Sequence, residues 1–319
     1  MPRDTLRREL ARADVAGGDT GGLPGSLLDA IEAEGGLWWA SDAYTTPNEI
    51  VAKAREVGAV ALRLDVRDLG FLEQLPGIRY LHLRSDGRPP LEPVGALRNL
   101  RALILEVGAQ RGEIDLRAFP RLRWLRVGLG GKGGAAMLST IEGGHRTLEW
   151  LAVSETRART AAAIAGGFPS LRSLAVGFAD SLRELGPLRE RTPRLRTLGF
   201  HLTDLRSLTG IEGLPIEALT VFAGPLADLG PIRDLRRLRY ARLLAPRVVS
   251  IEPLREHPSL RILELSIAGE PAADVIESIP GLVAVGRGRR FEGSIQRADL
   301  FELARDHPIR REWRRGLEG

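Results

Sequence analysis

The chain has no cysteine among its 319 residues. Disulfides, thiolate zinc sites and cysteine nucleophiles are therefore excluded. The absence agrees with a reducing compartment, and we expect a cytoplasmic protein. No run of about 18 apolar residues is present, so we expect no membrane span. The N-terminal MPRDTLRREL also lacks the apolar segment of a secretory signal.

Lysine is nearly absent as well. Only Lys53 and Lys132 occur, which leaves 44 of the 46 basic residues as arginine. The 41 acidic residues are interspersed with the arginines, and the net charge is +5. A basic balance is typical of nucleic-acid binding, but the joint richness in Ala, Gly, Pro and Arg also indicates a high-GC coding bias. On the basis of charge alone, nucleic acid is an alternative partner and not the expected one.

Motifs of catalysis and metal binding are missing too. The sequence has no H-E-x-x-H and no G-x-S-x-G elbow. No two of the five histidines have the i, i+4 spacing of a helical metal site; they are His82, His145, His201, His257 and His307. We therefore expect no catalytic residues, no metal and no cofactor, and we predict that the protein is not an enzyme.

The stretch GLGGKGG at 128–134 follows an apolar run and carries a lysine, as phosphate-binding loops do. Its spacing does not fit G-x-x-x-x-G-K-[ST], because the first glycine of that motif would fall on Arg126. The residue after Lys132 is Gly133, which has no hydroxyl for magnesium. We interpret the stretch as a glycine-lengthened turn.

An internal repeat dominates the sequence. FPRLRWLRV (119–127), FPSLRSLAV (168–176), TPRLRTLGF (192–200) and HPSLRILEL (257–265) all read Pro-x-Leu-Arg-x-Leu-x-apolar. A shorter copy at 59–66 begins the array, and successive copies recur at intervals of 21 to 26 residues. Their first apolar residues are Ile78, Leu100, Leu122, Leu148, Leu171, Leu195, Ile216, Leu238, Leu260 and Leu282.

Each copy predicts one short strand followed by a return segment. In the copy that begins at Leu122, Leu125 and Val127 lie on either side of one outward residue, which is strand periodicity. A single coil cannot bury its own leucines, but stacked coils bury each other's, at about 1.5–3 kcal/mol per aliphatic side chain.

The pattern resembles the leucine-rich-repeat family, of the bacterial intracellular type, over about residues 59–285. The resemblance implies an α/β solenoid: a horseshoe of about ten repeats with a parallel sheet on its concave face and capped ends. The family's Asn or Cys, eight residues after the first leucine, is absent. That position holds Asp86, Gly108, Gly130, Thr156, Ala179, Thr203, Gly224, Pro246 and Ala268, so we expect irregular turns.

Three regions are predicted. Residues 1–58 are an N-terminal segment and cap, with a helix that begins at Ser26, a strand in LWWAS and a second helix near Pro47. Residues 59–285 are the solenoid. Residues 286–319 are a degenerate copy, a capping helix in SIQRADLFELARDHP and a basic tail.

The concave strands are expected to present a partner-binding site. Alternation directs residues two, four and six positions after each first leucine outward. Small residues occupy the middle repeats, with aromatic and arginine residues around them, which predicts a shallow trough for a helix or loop of another protein. The alternative is that the rings pack on one another. The candidate residues are Tyr80, His82, Trp124, Arg126, Trp150, His201, Phe222, Tyr240 and Arg242.

The residue directly after each first leucine is arginine in seven of nine copies, with Glu149 and Glu217 at the other two. As a basic stripe these arginines would bind nucleic acid or an acidic partner. As a structural column they would stack along the solenoid and pair with the two glutamates. Both interpretations stay open for Arg79, Arg101, Arg123, Arg172, Arg196, Arg239 and Arg261.

Overall fold

The computed structural model describes residues 37–40, 45–85, 90–107, 114–128, 144–282, 284–287 and 290–292. These residues form a 13-stranded open sheet in which each strand pairs with the next along the chain. Pairing is parallel from β1 to β12, and β13 is antiparallel to β12. The strands are β1 Leu37–Ala40, β2 Ala59–Leu64, β3 Tyr80–Ser85, β4 Ala102–Val107, β5 Trp124–Gly128, β6 Trp150–Ser154, β7 Ser173–Ala179, β8 Thr197–Thr203, β9 Ala218–Ala223, β10 Tyr240–Ala245, β11 Ile262–Ile267, β12 Ala284–Arg287 and β13 Arg290–Glu292.

Short helical segments return the chain from the end of one strand to the start of the next. The α-helices are α1 Pro47–Glu56, α2 Ala161–Ala165, α3 Leu188–Arg191 and α4 Ala273–Ser278. Other coils return through 3-10 helices at Gly70–Gln74, Glu92–Ala96, Leu116–Ala118, Gly230–Asp234 and Glu252–Leu254. The predicted solenoid of stacked coils with a parallel sheet is confirmed.

The core is one continuous stack of mainly aliphatic side chains between the sheet and these return segments. The first leucine-type residues from Leu100 to Leu260 are all 0% exposed. The return segments add their own apolar residues, as in the coil that contains Leu226, Leu229 and Ile232, all at 0–1% exposure. Each coil therefore completes the burial of its neighbours.

The N-terminal helix α1 begins where the sequence places it. Thr46 is its N-cap, and its backbone N–H donates to Glu49 Oε2 at 2.8 Å while its hydroxyl accepts from the Glu49 backbone N–H. Pro47 occupies the first turn, where its missing N–H costs nothing. Strand β1 matches the predicted strand in LWWAS. The predicted helices at Ser26 and in 294–308 lie outside the described residues, and the three domain boundaries stay predictions.

Two histidines occupy a buried column inside the solenoid. His145 and His257 both stand three residues before a first leucine, where neighbouring coils place Phe119, Phe168 and Leu235. His145 Nε2 lies 2.9 Å from the Phe119 carbonyl oxygen. Burial lowers the pKa of both imidazoles below the usual 6.5, because the charged form loses its hydration.

We therefore expect His257→Leu to reduce the loss of stability in acid. As the pH falls through 6.5, the unfolded chain takes up a proton that buried His257 does not, so the free energy of unfolding decreases. Leucine fits the column, since Leu235 fills the same position in the preceding coil. Urea denaturation at about pH 7.5 and about pH 5.5 measures the change. An equal acid loss in the variant and the wild type would contradict the assignment.

Candidate partner-binding face

The outer sheet face, opposite the leucine core, carries the predicted columns in register. The first column runs from Tyr80 through Ala102 and Trp124 to Trp150, then continues to Ile262 through Ser173, Thr197, Ala218 and Tyr240. Neighbouring strands are about 4.8 Å apart, so the side chains of a column touch along the sheet. Alternation therefore predicts correctly which residues face away from the core.

Most of the aromatic residues predicted to surround the trough are nevertheless buried. Tyr80 is 1% exposed, Trp124 and Trp150 are each 8% exposed, and Tyr240 is 7% exposed. His82, at 1%, is equally buried. These rings cannot be the freely projecting anchors that the sequence suggested, because almost none of their surface is left for a partner.

A second apolar cluster explains this burial in the early repeats. Trp124 and Trp150 pack with Tyr80, Ile104 and small neighbours, and the members are Ala61, Tyr80, Ala102, Ile104, Trp124, Trp150 and Ala152. This cluster buries apolar area on the outer side of the early strands, as the leucine core does on the inner side. The alternative in which the rings pack together is the one that the structure supports.

An accessible part of the outer sheet face lies over β7, β8 and β9. Half-buried small residues form a surface that we call the floor: Ser173, Ala175, Thr197, Gly199 and Thr220. A Cβ placed on Gly199 would lie 3.8 Å from the Ala175 Cβ, in ordinary van der Waals contact, so the floor is low at this point and would accept a methyl group. Small residues thus occupy this part of the face as the sequence predicts, and their role as a partner-binding trough stays a prediction.

Phe178 and Leu202 stand beside this floor, at the ends of β7 and β8. They are 48% and 41% exposed, and with Val249 they are the exposed large hydrophobic residues of the described chain. The two lie in neighbouring strands at the same register, between the pairs Gly177–His201 and Ala179–Thr203. A single exposed leucine is common on a protein surface, but two exposed apolar side chains at the same register of neighbouring strands form an apolar patch.

A backbone irregularity turns these side chains outward. Phe178 has φ +50°, Leu202 has φ +51°, and Glu155 at the same position of the preceding coil has φ +58°. Strict alternation would direct these residues towards the core, and the left-handed conformation reverses them. Non-glycine residues pay about 1 kcal/mol each for it. The expectation of irregular turns agrees with this finding, since the equivalent Ala223 and Ala245 have no positive φ.

Two predicted site residues join the patch. The His201 ring centroid lies 5.4 Å from that of Phe178 and 4.9 Å from that of Phe222, with the latter pair edge to face. His201 and Phe222 are half-buried. We call Phe178, Leu202, His201 and Phe222 together the rim, because they line the edge of the floor where the strands end.

The other candidates on this face form a polar contact at the far end. The Tyr240 hydroxyl donates to Glu264 Oε1 at 2.8 Å, and Arg242 Nε lies 3.1 Å from Glu264 Oε2. Glu264 is 6% exposed, so its charge is stabilised by these two groups rather than by water. Arg126 is half-buried on β5. Tyr240 and Arg242 thus hold Glu264, a residue that the sequence did not single out.

The arginine column runs along the edge at which the strands begin, and some of its side chains have partners. Its backbone forms a ladder in which each N–H donates to the carbonyl of the previous member at 2.7–2.9 Å, from Arg101 to Arg261. Arg196 Nη1 lies 3.2 Å from Glu217 Oε1, and Arg123 Nε lies 3.8 Å from Glu149 Oε1. Arg261 Nη1 donates to the Pro280 carbonyl at 3.0 Å. The predicted pairing with both glutamates occurs, while Arg172 and Arg239 stay exposed.

Other sequence features add no chemistry to this face. Among the described residues, no group of three His, Asp or Glu side chains could hold a metal ion. Gly128 ends β5 with its Cα facing Ser154 of β6, and the rest of the glycine-rich stretch lies outside the described residues. No described helix is long and apolar enough to cross a bilayer.

Comparison with solved structures identifies the fold. The internalin inlF of Listeria monocytogenes aligns over 82% of this chain and 80% of its own, with a TM-score of 0.51 and 14% sequence identity. The protein has the leucine-rich-repeat fold. The internalin C2 of the same organism aligns over 62% of this chain and 76% of its own, with a TM-score of 0.42 and 19% identity. No protein-family model and no curated protein sequence matches this leucine-rich-repeat chain.

We expect Leu202→Gly to be more stable than Leu202→Ala, by about 1 kcal/mol in the free energy of unfolding. Both substitutions remove the exposed side chain, but only glycine adopts φ +51° without strain. Paired urea titrations of the two variants measure the difference. The usual order, with alanine more stable, would show that the left-handed backbone at this position is wrong.

We also expect Tyr240→Phe to lower the free energy of unfolding by about 1.5–3 kcal/mol, since the buried Glu264 carboxylate loses a charge-assisted hydrogen bond. Ser266→Ala on the neighbouring strand, where Ser266 is exposed, is the control with little expected change. A Tyr240→Phe variant as stable as this control would contradict the described Glu264 contact.

Proposed function

We propose that this leucine-rich-repeat protein is a non-catalytic binding module that holds a segment of a partner protein against the floor and the rim. The observation that carries the proposal is the contrast along one sheet face. Its early strands bury their rings almost completely, whereas β7–β9 present small residues beside an exposed Phe and Leu. A folded chain gains nothing from exposing this patch unless something covers it.

The shape of the floor supports a peptide-like partner. Side chains of Ser173, Thr197 and Thr220 offer hydroxyls on an otherwise low surface, and hydroxyls donate to or accept from a partner backbone. Phe178 and Leu202 supply apolar area at its edge. Small polar floors with apolar rims are the kind of surface on which a helix or loop docks. The lack of cysteine supports a reducing, cytoplasmic location for this binding.

Nucleic acid is the weaker candidate. Its support is the exposure of Arg172 and Arg239 in the arginine column. Pairing of Arg196 with Glu217 interrupts that column with a carboxylate, and phosphate binding would require contiguous positive charge. We therefore propose that the arginine column stabilises the edges of the coils and that the floor binds the partner protein.

Blocking the floor should abolish capture of the partner. We expect the variant Ser173→Arg with Thr220→Arg to lose a protein that wild type retains from native lysate, because two long side chains fill the space above β7 and β9. The matched control is Glu190→Arg with Asp234→Arg, two changes on the return segments, where both residues are exposed. Quantitative mass spectrometry of the retained proteins compares the variants.

The same capture separates the two candidate functions. If the partner is still retained after nuclease treatment and by the variant Arg172→Glu with Arg239→Glu, but is lost by the variant that blocks the floor, the result supports protein binding. Retention that disappears with nuclease or with the arginine variant, and falls steeply as salt rises, would replace protein binding with nucleic-acid binding.

A further inference from the structure

We infer that the edge of the solenoid at which the strands begin binds an anionic lipid surface. The inference goes beyond the proposed function, because this edge is separate from the floor and the rim. It starts from nine successive coils, those with first leucine-type residues from Ile78 to Leu260. In each coil we take the residues from three before to one after that residue, and we call the edge that they form the entry edge.

Arginines are concentrated at the entry edge. The nine coils place thirteen arginines and only two carboxylates there, Glu149 and Glu217. When two further residues back along each coil are included, the count is seventeen arginines and seven carboxylates, so neighbouring acidic groups do not reverse the sign. The opposite edge is different: the six residues after β2 and after each of β6–β11 include six arginines and eight carboxylates. The excess positive charge therefore belongs to one edge of the sheet.

The two residues directly before each first leucine-type residue carry no carboxylate in any of the nine coils. We call these positions the turn row. Six of its members are exposed arginines, and within the described chain none of their guanidinium groups makes a hydrogen bond or an ion pair. They are Arg98, Arg121, Arg146, Arg194, Arg236 and Arg237. Their charges are available to an anion outside the protein.

The register of the sheet keeps the entry edge level. From β3 to β11 the first residue of each strand pairs with the first residue of the next, from Tyr80 with Ala102 to Tyr240 with Ile262. The backbone ladder just before these residues is continuous from Arg101 to Arg261. Nine coils at about 4.8 Å each make a strip about 38 Å long. Arginines arranged in this way can contact an extended surface together.

Two glutamates in this strip favour lipid over nucleic acid. Glu149 and Glu217 are half-buried, and each lies beside an arginine of the preceding coil, Arg123 and Arg196. Nucleic-acid phosphates have a fixed spacing, so a strand that followed the strip would place phosphates against both carboxylates. Lipid headgroups move independently in the plane of a bilayer, so anionic ones can collect at the arginines and leave the glutamates uncovered.

Attachment at this edge would be electrostatic. The exposed large hydrophobic residues of the described chain are Phe178, Leu202 and Val249, and all three lie outside the entry edge. No such side chain is therefore available there to enter the hydrocarbon, whereas clusters of about four to eight basic residues suffice to attract anionic lipid. The rim lies about six residues further along the strands, about 20 Å from the entry edge, so a protein bound to lipid in this way keeps the floor accessible.

Co-sedimentation of the full chain with lipid vesicles tests the inference. Vesicles of phosphatidylcholine with about 30% phosphatidylserine supply the anionic surface, and pure phosphatidylcholine supplies a neutral one. The edge variant reverses three exposed arginines of the turn row: Arg121→Glu, Arg194→Glu and Arg237→Glu. The matched control makes the same change of net charge at three exposed arginines of the opposite edge: Arg159→Glu, Arg183→Glu and Arg206→Glu.

We expect wild type to bind the anionic vesicles at about 0.1 M salt and to dissociate at about 0.5 M, since salt screens exposed charges. Neutral vesicles should not retain it. The edge variant should bind the anionic vesicles at least about tenfold more weakly than wild type, and the control should stay within about twofold. Circular dichroism checks that the variants fold, and Arg121→Gln with Arg194→Gln and Arg237→Gln replaces the edge variant if it does not.

Four results would overturn the inference. Three of them are no binding to anionic vesicles, equal binding to neutral ones, and an equal loss of binding in the edge variant and the control. The fourth comes from a duplex DNA of about 20 base pairs under the same conditions: if wild type binds it as tightly as the vesicles and the edge variant does not, nucleic acid replaces lipid at this edge. Capture of a partner protein on the floor is a separate measurement, so its failure would remove the proposed function and leave this inference standing.

Discussion

The whole molecule depends on the mutual burial of leucines between successive coils. Each first leucine from Leu100 to Leu260 is completely buried, yet a single coil of about 22 residues has no interior of its own. Truncating one such side chain to alanine would cost about 2–5 kcal/mol, which is a large fraction of the stability of a typical domain. This stack fixes the position of every strand, and the parallel register of the sheet follows from it.

That register has a consequence on the opposite face. Because the core fixes the positions of the inward-facing residues, the outward-facing residues of successive strands align in columns. The members of a column occupy equivalent backbone positions and differ only in their side chains. Where a column carries large and small apolar residues it is buried, as Trp124 and Trp150 are with Ala152. Where the same columns carry only small residues, over β7–β9, Ser173, Thr197 and Gly199 stay half-buried. One rigid sheet thus has a sealed region and an accessible region without any change of fold.

The sequence predicts the core and the direction of side chains well, because both follow from periodicity. The spacing from Leu122 to Leu125 and Val127 is sufficient to place strand and core, and Thr46 with Pro47 is sufficient to start α1. Exposure is harder to predict, since periodicity says that Trp124 faces outward but not what lies against it. Phe178 and Leu202 were missed because a positive φ breaks the period. Glu264 was missed because its partners Tyr240 and Arg242 lie one coil away.

The central claim is that β7–β9 form the surface that a partner protein covers. Amide hydrogen exchange of the protein, alone and saturated with the captured partner, tests it most directly. We predict added protection at the ends of β7 and β8, around Gly177–Asp180 and His201–Asp204, with the return segments at Leu188–Arg191 and Gly230–Asp234 unchanged. Protection confined to the return segments, with unchanged exchange at the ends of β7 and β8, would contradict the account.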